Sequence, residues 1–243
     1  MTIDEIKGLK GKLPKDVYGL TYGNLPWAFM SLLYGAGGTL ENDMDDLTKD
    51  VWRKPMQKLK DAYDTGVVAP MDVDGEQAFG SGKAVFAQLG TWAQGNMSDT
   101  LGADKIAEAN TLQYDADNPV NFFYQCNWMQ LKDPHRSAAK SAAAADFVNY
   151  VYEHWMDAAE FGSISPAYLD LNNPEYQKLI QASFTNGKKE RDAIKTSNYL
   201  YGGYATAGWG TYNDIVYGNV GLEEGLKTLD LMAQGQIEIQ EES

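Results

Sequence analysis

The stretch from residue 79 to residue 96 constrains the fold most strongly, because glycines divide it into separate elements. Gly80 and Gly82 are placed to end a short helix, and the apolar run 84–89 predicts a buried strand. Residues 91–94 then have the spacing of a helix capping box. The sequence therefore predicts an α/β unit in which the chain passes from a strand directly into a helix.

Trp92 follows this predicted strand at its carboxyl end. In open α/β sheets, ligands bind outside the carboxyl ends of the strands, where loops and helix N-termini line a crevice. An indole there offers a flat apolar face for stacking and an N–H for hydrogen bonding. A core side chain packed against the next helix is the alternative interpretation of Trp92.

A second aromatic residue occupies an equivalent position earlier in the chain. Residues 17–22 predict a strand, and residues 28–34 predict a helix that ends at glycines. Trp27 lies between these two elements. The sequence thus places two tryptophans at junctions between a strand and a helix.

Apolar periodicity predicts three longer helices. The first spans about 47–64, and the second begins with an N-cap and a proline at 133–134. The third spans about 222–233 and is followed by an acidic tail that is expected to fray. Trp52 and Trp155 lie within such helices and are interpreted as packing residues. The second helix carries an apolar stripe that is expected to pack against a partner. The stripe comprises Ala144, Phe147, Val148, Val151 and Trp155.

Charge and reactive side chains argue against several classes of function. The net charge of −14 argues against nucleic acid or an anionic membrane surface as a partner. Cys126 is the sole cysteine, so an internal disulfide or a thiolate cluster is excluded. With His135 and His154 as the two histidines, a histidine-based triad or metal site is not expected. We predict no catalytic residue, no metal and no cofactor.

Aromatic residues at the ends of predicted elements remain as the candidate binding groups. A sugar ring has an apolar face and a rim of hydroxyls, so aromatic faces with scattered Asp and Asn suit it. The sequence therefore favours a neutral carbohydrate ligand. The candidate aromatics are Trp27, Trp92, Trp128, Tyr204 and Trp209.

Several segments resemble one known family. Residues 65–70 (TGVVAP) and 77–92 (QAFGSGKAVFAQLGTW) resemble the core signature of the extracellular solute-binding proteins of carbohydrate ABC importers, the family that includes maltose-binding protein. Residues 2–6, 33–38 and 138–152 resemble further segments of that family in the same order. The resemblance implies an α/β, periplasmic-binding-protein-like (type II) fold, mainly its C-terminal lobe.

The resemblance also implies a set of sugar-binding residues. Trp92 matches a stacking tryptophan of the family, and Trp27 matches an aromatic residue of its sugar site. Asp72 lies where the family often supplies a polar side chain. Tyr204 or Trp209 matches a third stacking aromatic residue, with ambiguous spacing.

Lobe boundaries follow from the same resemblance. Residues 1–118 and 156–243 correspond to the C-terminal lobe, and 119–155 correspond to a strand and helix that return to the N-terminal lobe. Trp128 follows that hinge-crossing strand and joins the implied site. The family's N-terminal lobe, with its signal peptide and lipid-anchoring cysteine, is expected before Thr2 and has no counterpart in this sequence.

The implied function is that of a non-enzymatic sugar-binding component of an ABC importer. Its partners are a carbohydrate ligand and the permease subunits in the membrane, and the full-length parent is extracytoplasmic, in the periplasm or lipid-anchored at the cell surface. A ligand-free interaction or structural module derived from that fold stays open as an alternative, as does a carbohydrate-active enzyme. If the chain folds alone, a second copy is a candidate partner for the exposed face of the 138–155 helix.

Overall fold

The computed structural model describes residues 1–23, 25–120, 130–161, 172–182, 204 and 210–241. The described residues fall into two compact units. The first unit draws on 1–89, 109–122 and 188–243, and the second on 90–108 and 123–187. The lobe boundaries implied by the resemblance stay a prediction.

Along the first half of the chain, two described strands lie among six α-helices. Residues 210–216 are also helical. The elements are α1 (Ile3–Lys7), β1 (Tyr18–Tyr22), α2 (Leu25–Gly35), α3 (Leu40–Asp43), α4 (Asp50–Asp64), α5 (Gly75–Gly80), β2 (Ala84–Gln88), α6 (Gln94–Leu101), α7 (Ala138–Glu153), α8 (Trp155–Glu160) and α9 (Leu222–Glu241), with 3₁₀ turns at Thr91–Ala93, Ala103–Lys105 and Tyr176–Lys178.

Strands β1 and β2 of the first unit pair in parallel. On the other side of β1, Val68 forms a parallel bridge with Leu20. The three segments run in the same direction, so they end at the same edge of the sheet. Both strands were predicted from the sequence, and that edge is where the sequence predicts a site.

The predicted burial of β2 is wrong. Val85 and Phe86 are 41% and 36% exposed. In the part of the chain that the structure describes, β2 pairs on one side only, with β1. A continuous apolar run predicts a strand that is buried on both faces. That prediction holds only where other elements cover both faces of the strand.

An aromatic cluster forms the core where α2 meets α4. The Phe29 and Trp52 rings stack with their centroids 5.7 Å apart and an interplanar angle of 20°. Tyr204 and Tyr212 extend the cluster, and all four side chains are fully buried. The interpretation of Trp52 as a core residue is confirmed.

A complete capping box fixes the start of α1. At α1, the Thr2 N–H donates to the Glu5 carboxylate at 2.7 Å and the Glu5 N–H donates to the Thr2 hydroxyl at 3.2 Å. The capping box predicted at 91–94 is wrong, because Thr91 opens a 3₁₀ turn and α6 begins without a side-chain cap.

The start predicted for α7 is also wrong. The Asp133 carboxylate accepts a hydrogen bond from the His135 N–H at 2.9 Å, which closes a local turn instead of opening a helix. Ser137 caps α7 instead, by accepting from the Lys140 N–H at 3.2 Å.

In the second unit, most residues of α7 are exposed, and Ser141 and Val151 are partly buried. None of its residues is buried, and Phe147 is 53% exposed. Three residues of its apolar stripe, Ala144, Phe147 and Val148, are thus exposed in the described structure. Trp155, at the start of α8, does pack, with its ring centroid 5.7 Å from that of Tyr176 in a small core cluster.

Helix α9 closes the first unit by packing against α4. Arg53 Nε lies 2.8 Å from a Glu223 carboxylate oxygen, and the Asp230 carboxylate accepts from the Leu47 N–H at 3.0 Å. The helix continues to Glu241, so the frayed tail predicted after residue 233 is wrong.

We expect Trp52→Ala to lower the free energy of unfolding by about 3–5 kcal/mol, because it leaves a cavity inside the aromatic cluster. Thermal and denaturant unfolding followed by circular dichroism measure this loss. Trp92→Ala is the matched control, since that indole is 60% exposed, and its loss should stay within about 0.5 kcal/mol. Equal losses would contradict the contrast between the two tryptophans.

Candidate functional site

A cavity of about 150 Å³ lies at the carboxyl end of β1, within the first unit. The end of β1, the start of α2 and the turn that follows Val68 contribute to its wall. Residues from the helical segment 210–216 and the turn after it complete the wall. The lining residues are Tyr22, Gly23, Leu25, Pro26, Met71, Asn213 and Tyr217.

The wall at Gly23 depends on the absence of a side chain. The Gly23 N–H donates to the Gln88 carbonyl at 2.9 Å. A methyl group at residue 23 would lie 2.5 Å from Leu89 Cδ2 and 3.0 Å from the Gln88 oxygen. Glycine therefore lets β1 lie close to the end of β2 before the chain turns into α2.

The start of α2 is fixed from the core side. Pro26 is the second residue of α2, in the first helical turn, where a missing N–H costs no intrahelical hydrogen bond. Its carbonyl accepts a hydrogen bond from the hydroxyl of Tyr204. The aromatic core thus holds one wall of the cavity.

Two tyrosines line the cavity, and both are protonated at neutral pH. The hydroxyl oxygen of Tyr22 is buried and has no hydrogen-bond partner among the described residues, and burial together with the nearby Tyr217 raises its pKa. Burial, with a smaller contribution from Tyr63, raises the pKa of Tyr217 to about 12. The Tyr217 ring meets the Tyr63 ring edge-on, with centroids 4.9 Å apart.

The cavity wall is uncharged. No Lys, Arg, His, Asp or Glu occurs among its described lining residues. Across the described ranges, no group of three or more His, Cys, Asp or Glu is arranged to hold a metal ion. Within those ranges, too, every helix is too short or too polar to cross a membrane.

Trp27 and Asp72 flank the cavity in sequence without lining it in the described structure. Trp27 is partly buried next to Pro26, and Asp72 is exposed next to Met71. Asp72 lies in a turn closed by a 3.1 Å hydrogen bond from the Val73 N–H to the Pro70 carbonyl. The structure therefore brings the sequence neighbours of both residues to one cavity.

Tyr204 is fully buried. Its ring centroid lies 5.5 Å from that of Tyr212 and 6.1 Å from that of Trp52. A ring with no exposed face cannot stack on a ligand unless it moves. In this structure Tyr204 positions α2.

Trp92 belongs to the second unit and is 60% exposed. The alternative interpretation of Trp92 as a core side chain is therefore wrong. Its ring folds back over Gly90, where a methyl group would lie 1.7 Å from the ring. Ligand stacking on Trp92 stays a prediction, and Trp128 and Trp209 lie outside the described residues.

Sequence reasoning missed the residues that line the cavity. Tyr22 could have been predicted as a lining residue, because it is the last residue of a predicted strand and Trp27 was proposed for following that strand. Asn213 and Tyr217 are spaced as neighbours on one helical turn, but nothing in the sequence joins them to β1. Their position beside β1 depends on how α9 and the segment before it pack within the first unit.

The chain has an α/β, periplasmic-binding-protein-like (type II) fold, as predicted, and similarity to a solved structure shows it. Among solved structures, this one is similar to the maltose/maltodextrin-binding domain MalE from Bdellovibrio bacteriovorus bound to maltotriose, with a TM-score of 0.69 and 16% sequence identity. The match covers 97% of this chain and 65% of that chain. This chain thus spans about 65% of the length of the protein it matches. No family model and no curated protein matches the sequence.

We expect Gly90→Ala to displace the Trp92 ring, because the new methyl group would occupy the ring's present position. The backbone at Gly90, with φ −92° and ψ 165°, accepts alanine without strain. The tryptophan emission maximum should shift while the melting temperature changes little. Gly95→Ala is the control, since its nearest neighbours lie at 3.9 and 4.0 Å. An unchanged spectrum for Gly90→Ala would contradict the position of the ring.

Proposed function

We propose that this chain binds a sugar or oligosaccharide as part of the substrate-binding component of an ABC importer. The observation that carries the proposal is Trp92, a large indole that is 60% exposed beyond the end of β2. Stacking a sugar ring on such a face removes apolar surface from water and contributes about 1–3 kcal/mol. The fold shared with a maltotriose-bound MalE and the resemblance in sequence support the same ligand class.

The proposed site residues have different roles. Trp92 and Trp27 supply aromatic faces, and the exposed carboxylate of Asp72 accepts hydrogen bonds from sugar hydroxyls. Tyr204 supports the site by holding the start of α2 through Pro26. Trp128 and Trp209 remain proposed contacts on the strength of the resemblance alone.

For the full-length parent we propose an extracytoplasmic, lipid-anchored or periplasmic protein. Its two lobes close around the sugar, and the closed form is recognised by the membrane permease. In that arrangement residues 1–118 and 156–243 form most of one lobe, and 119–155 belong to the other. Charge supports a neutral ligand, since the chain carries a net −14 and would repel anionic ligands.

Trp92→Ala tests the proposed function. We expect wild type to bind at least one member of a panel of mono- and oligosaccharides in isothermal titration calorimetry, and Trp92→Ala to bind it about tenfold more weakly or worse. Trp92→Phe is the matched control, because it keeps an aromatic face and should retain part of the affinity. Sugar binding that is unchanged in Trp92→Ala would contradict the role of the indole.

The carbohydrate-active enzyme is distinguished by turnover. Burial raises the pKa of Glu108 to about 7, which is the kind of shift that a general acid needs. Glycoside hydrolysis requires a pair of carboxyl groups at a defined separation, and one perturbed carboxyl is not such a pair. Product analysis after prolonged incubation with the bound sugar decides between the two classes.

The exposed helix α7 favours an interaction role as a second candidate function. Helices in proteins gain most of their stability by packing an apolar face, and Phe147 and Val148 are 53% and 38% exposed. We propose that this face takes up a second copy of the chain when the chain is alone in solution. The α7 sequence suits self-contact, because its alanines at 142–145 allow close approach and its side chains carry little net charge.

Sedimentation velocity tests this self-association. We expect a concentration-dependent dimer that Phe147→Ser weakens at least fivefold, because the exchange removes apolar area from the stripe. Asn149→Ser changes the opposite side of the helix and is expected to leave the dimer unchanged. A wild-type chain that stays monomeric at all concentrations would exclude the second copy.

A further inference from the structure

Lysines gather at the edge of the sheet where β1 and β2 begin, at the opposite end of β1 from the cavity. Residues 7–15 contain four lysines and no acidic residue, and Asp16 is the first carboxylate that follows them. A fifth lysine directly precedes β2. We name these five residues the basic edge: Lys7, Lys10, Lys12, Lys15 and Lys83.

Hydrogen bonds of the main chain place the two parts of the basic edge next to each other. The Tyr18 N–H, at the start of β1, donates to the Lys83 carbonyl at 2.9 Å. Shortly before Tyr18, Lys15 lies in a turn that the Val17 N–H closes by donating to the Pro14 carbonyl at 3.3 Å. The loop before β1 and the turn before β2 therefore carry their lysines at one edge of the first unit.

Only part of the basic edge is used within the molecule. Lys10 Nζ donates to the Thr65 carbonyl at the end of α4 at 2.5 Å, and Lys7 Nζ lies 3.9 Å from an Asp4 carboxylate oxygen. The other three lysines are exposed and form no ion pair among the described residues, whereas every Lys and Arg of α4 pairs with an acidic side chain. These three exposed lysines are Lys12, Lys15 and Lys83.

Carboxylates near the basic edge have cations of their own. Asp64, at the end of α4, pairs with Lys60 at 2.8 Å, and Asp4 pairs with Lys58 at 2.8 Å. Asp16 is exposed and adjoins the basic edge in sequence. Even when Asp16 is counted, the lysines of the basic edge outnumber the carboxylates that could neutralise them.

The acidic run at 41–46 lies at the other end of α4, since Lys10 contacts the residue that ends this helix. The 15 residues of α4 separate its two ends by about 22 Å, and interactions between exposed charges fade over about 8–10 Å at physiological salt. Within the run, Asp45 pairs with Lys49 at 2.5 Å and Asp43 accepts a main-chain hydrogen bond at 2.9 Å. The run therefore neither neutralises the basic edge nor offers it a free acidic surface on a second copy.

The residue types of the basic edge favour anionic lipid over nucleic acid. Its cations are all lysines, whose ammonium groups are compact point charges, whereas recognition of phosphates and bases favours the planar fork of arginine. Residues 7–16 contain no aromatic side chain on which a base could stack. A bilayer with anionic headgroups attracts clusters of about four to eight basic residues, and each lysine near its surface strengthens binding about fivefold.

We propose that the basic edge docks this chain onto the surface of an anionic lipid bilayer. Lysine ammonium groups meet the headgroups, and the edge that carries the cavity points away from the bilayer because it lies at the other end of β1. The net charge of −14 argues against such a partner for the chain as a whole, and the grouping of lysines reverses that expectation locally. The contact requires neither a bound sugar nor a permease, so it goes beyond the proposed function.

Vesicle flotation tests the docking of the basic edge. We expect the wild-type chain to float with vesicles of phosphatidylcholine and phosphatidylglycerol at low salt and to stay behind with vesicles of phosphatidylcholine alone. Salt at about 1 M should release it, because the Debye length then falls to about 3 Å. The triple variant Lys12→Gln, Lys15→Gln and Lys83→Gln should bind the anionic vesicles about a hundredfold more weakly, since it removes three lysines.

A second triple variant, Lys105→Gln, Lys140→Gln and Lys227→Gln, is the matched control. It changes the net charge by the same amount, and its three lysines are exposed outside the basic edge. We expect it to bind the anionic vesicles within about threefold of wild type, because distant exposed charges are screened. Both variants replace exposed side chains and should keep the circular dichroism spectrum and melting temperature of wild type.

A loss of vesicle binding confined to the basic-edge variant supports the proposal. Equal losses in both variants would show that overall charge, and not the basic edge, controls binding, and would overturn it. Equal binding to vesicles with and without phosphatidylglycerol, or no binding of a folded wild-type chain at low salt, overturns it as well. Sugar binding by the same samples reports separately on the proposed function, because neither variant changes Trp92.

Two further measurements test the other anionic partners. If a fluorescent single-stranded oligonucleotide binds wild type more tightly than the anionic vesicles do, and the basic-edge variant loses that binding, the basic edge recognises nucleic acid and the bilayer is overturned. If wild type instead forms a salt-sensitive dimer in sedimentation velocity that the basic-edge variant abolishes, and binds no vesicles, the partner is a second copy and the bilayer is likewise overturned.

Discussion

The parallel pairing of β1 with β2 is the constraint on which the candidate site depends. Because Val68 pairs with the other side of β1, three chain segments reach the same edge of the sheet. After each segment the chain continues into a loop or the start of a helix, and two of these continuations line the cavity. The close approach of Gly23 to Gln88 keeps the edge compact, and the aromatic core holds α2 against it.

Sequence patterns predicted the elements well where a period and a terminator agreed. Both strands were found, and α2 and α4 end at the glycines or turns that the sequence marks. The predicted starts of α6 and α7 were wrong, and at α7 a local side-chain hydrogen bond competes with the predicted cap. Asp133 forms a turn with His135 rather than a cap, and Thr91 opens a 3₁₀ turn. Differences of two to four residues at a helix start leave no trace in apolar periodicity.

Exposure was harder to predict than secondary structure, because it depends on what lies on the second side of an element. An apolar run such as 84–89 predicts burial, yet Phe86 is 36% exposed. The stripe on α7 reads as a packed face, yet the helix has no buried residue. For Trp92 the sequence left a core position and a surface position open, and the structure shows the surface position. The cavity itself could not be predicted from the sequence, since Tyr22 and Tyr217 are far apart in the chain and come together only in the folded first unit.

Contacts between its N-terminal and C-terminal parts hold the first unit together. Arg53 and Glu223 are 170 residues apart, and Leu47 and Asp230 are 183 residues apart. During synthesis, α4 therefore leaves the ribosome long before α9 exists to cover it. A nascent or prematurely terminated chain exposes that side of the aromatic core to chaperones and proteases.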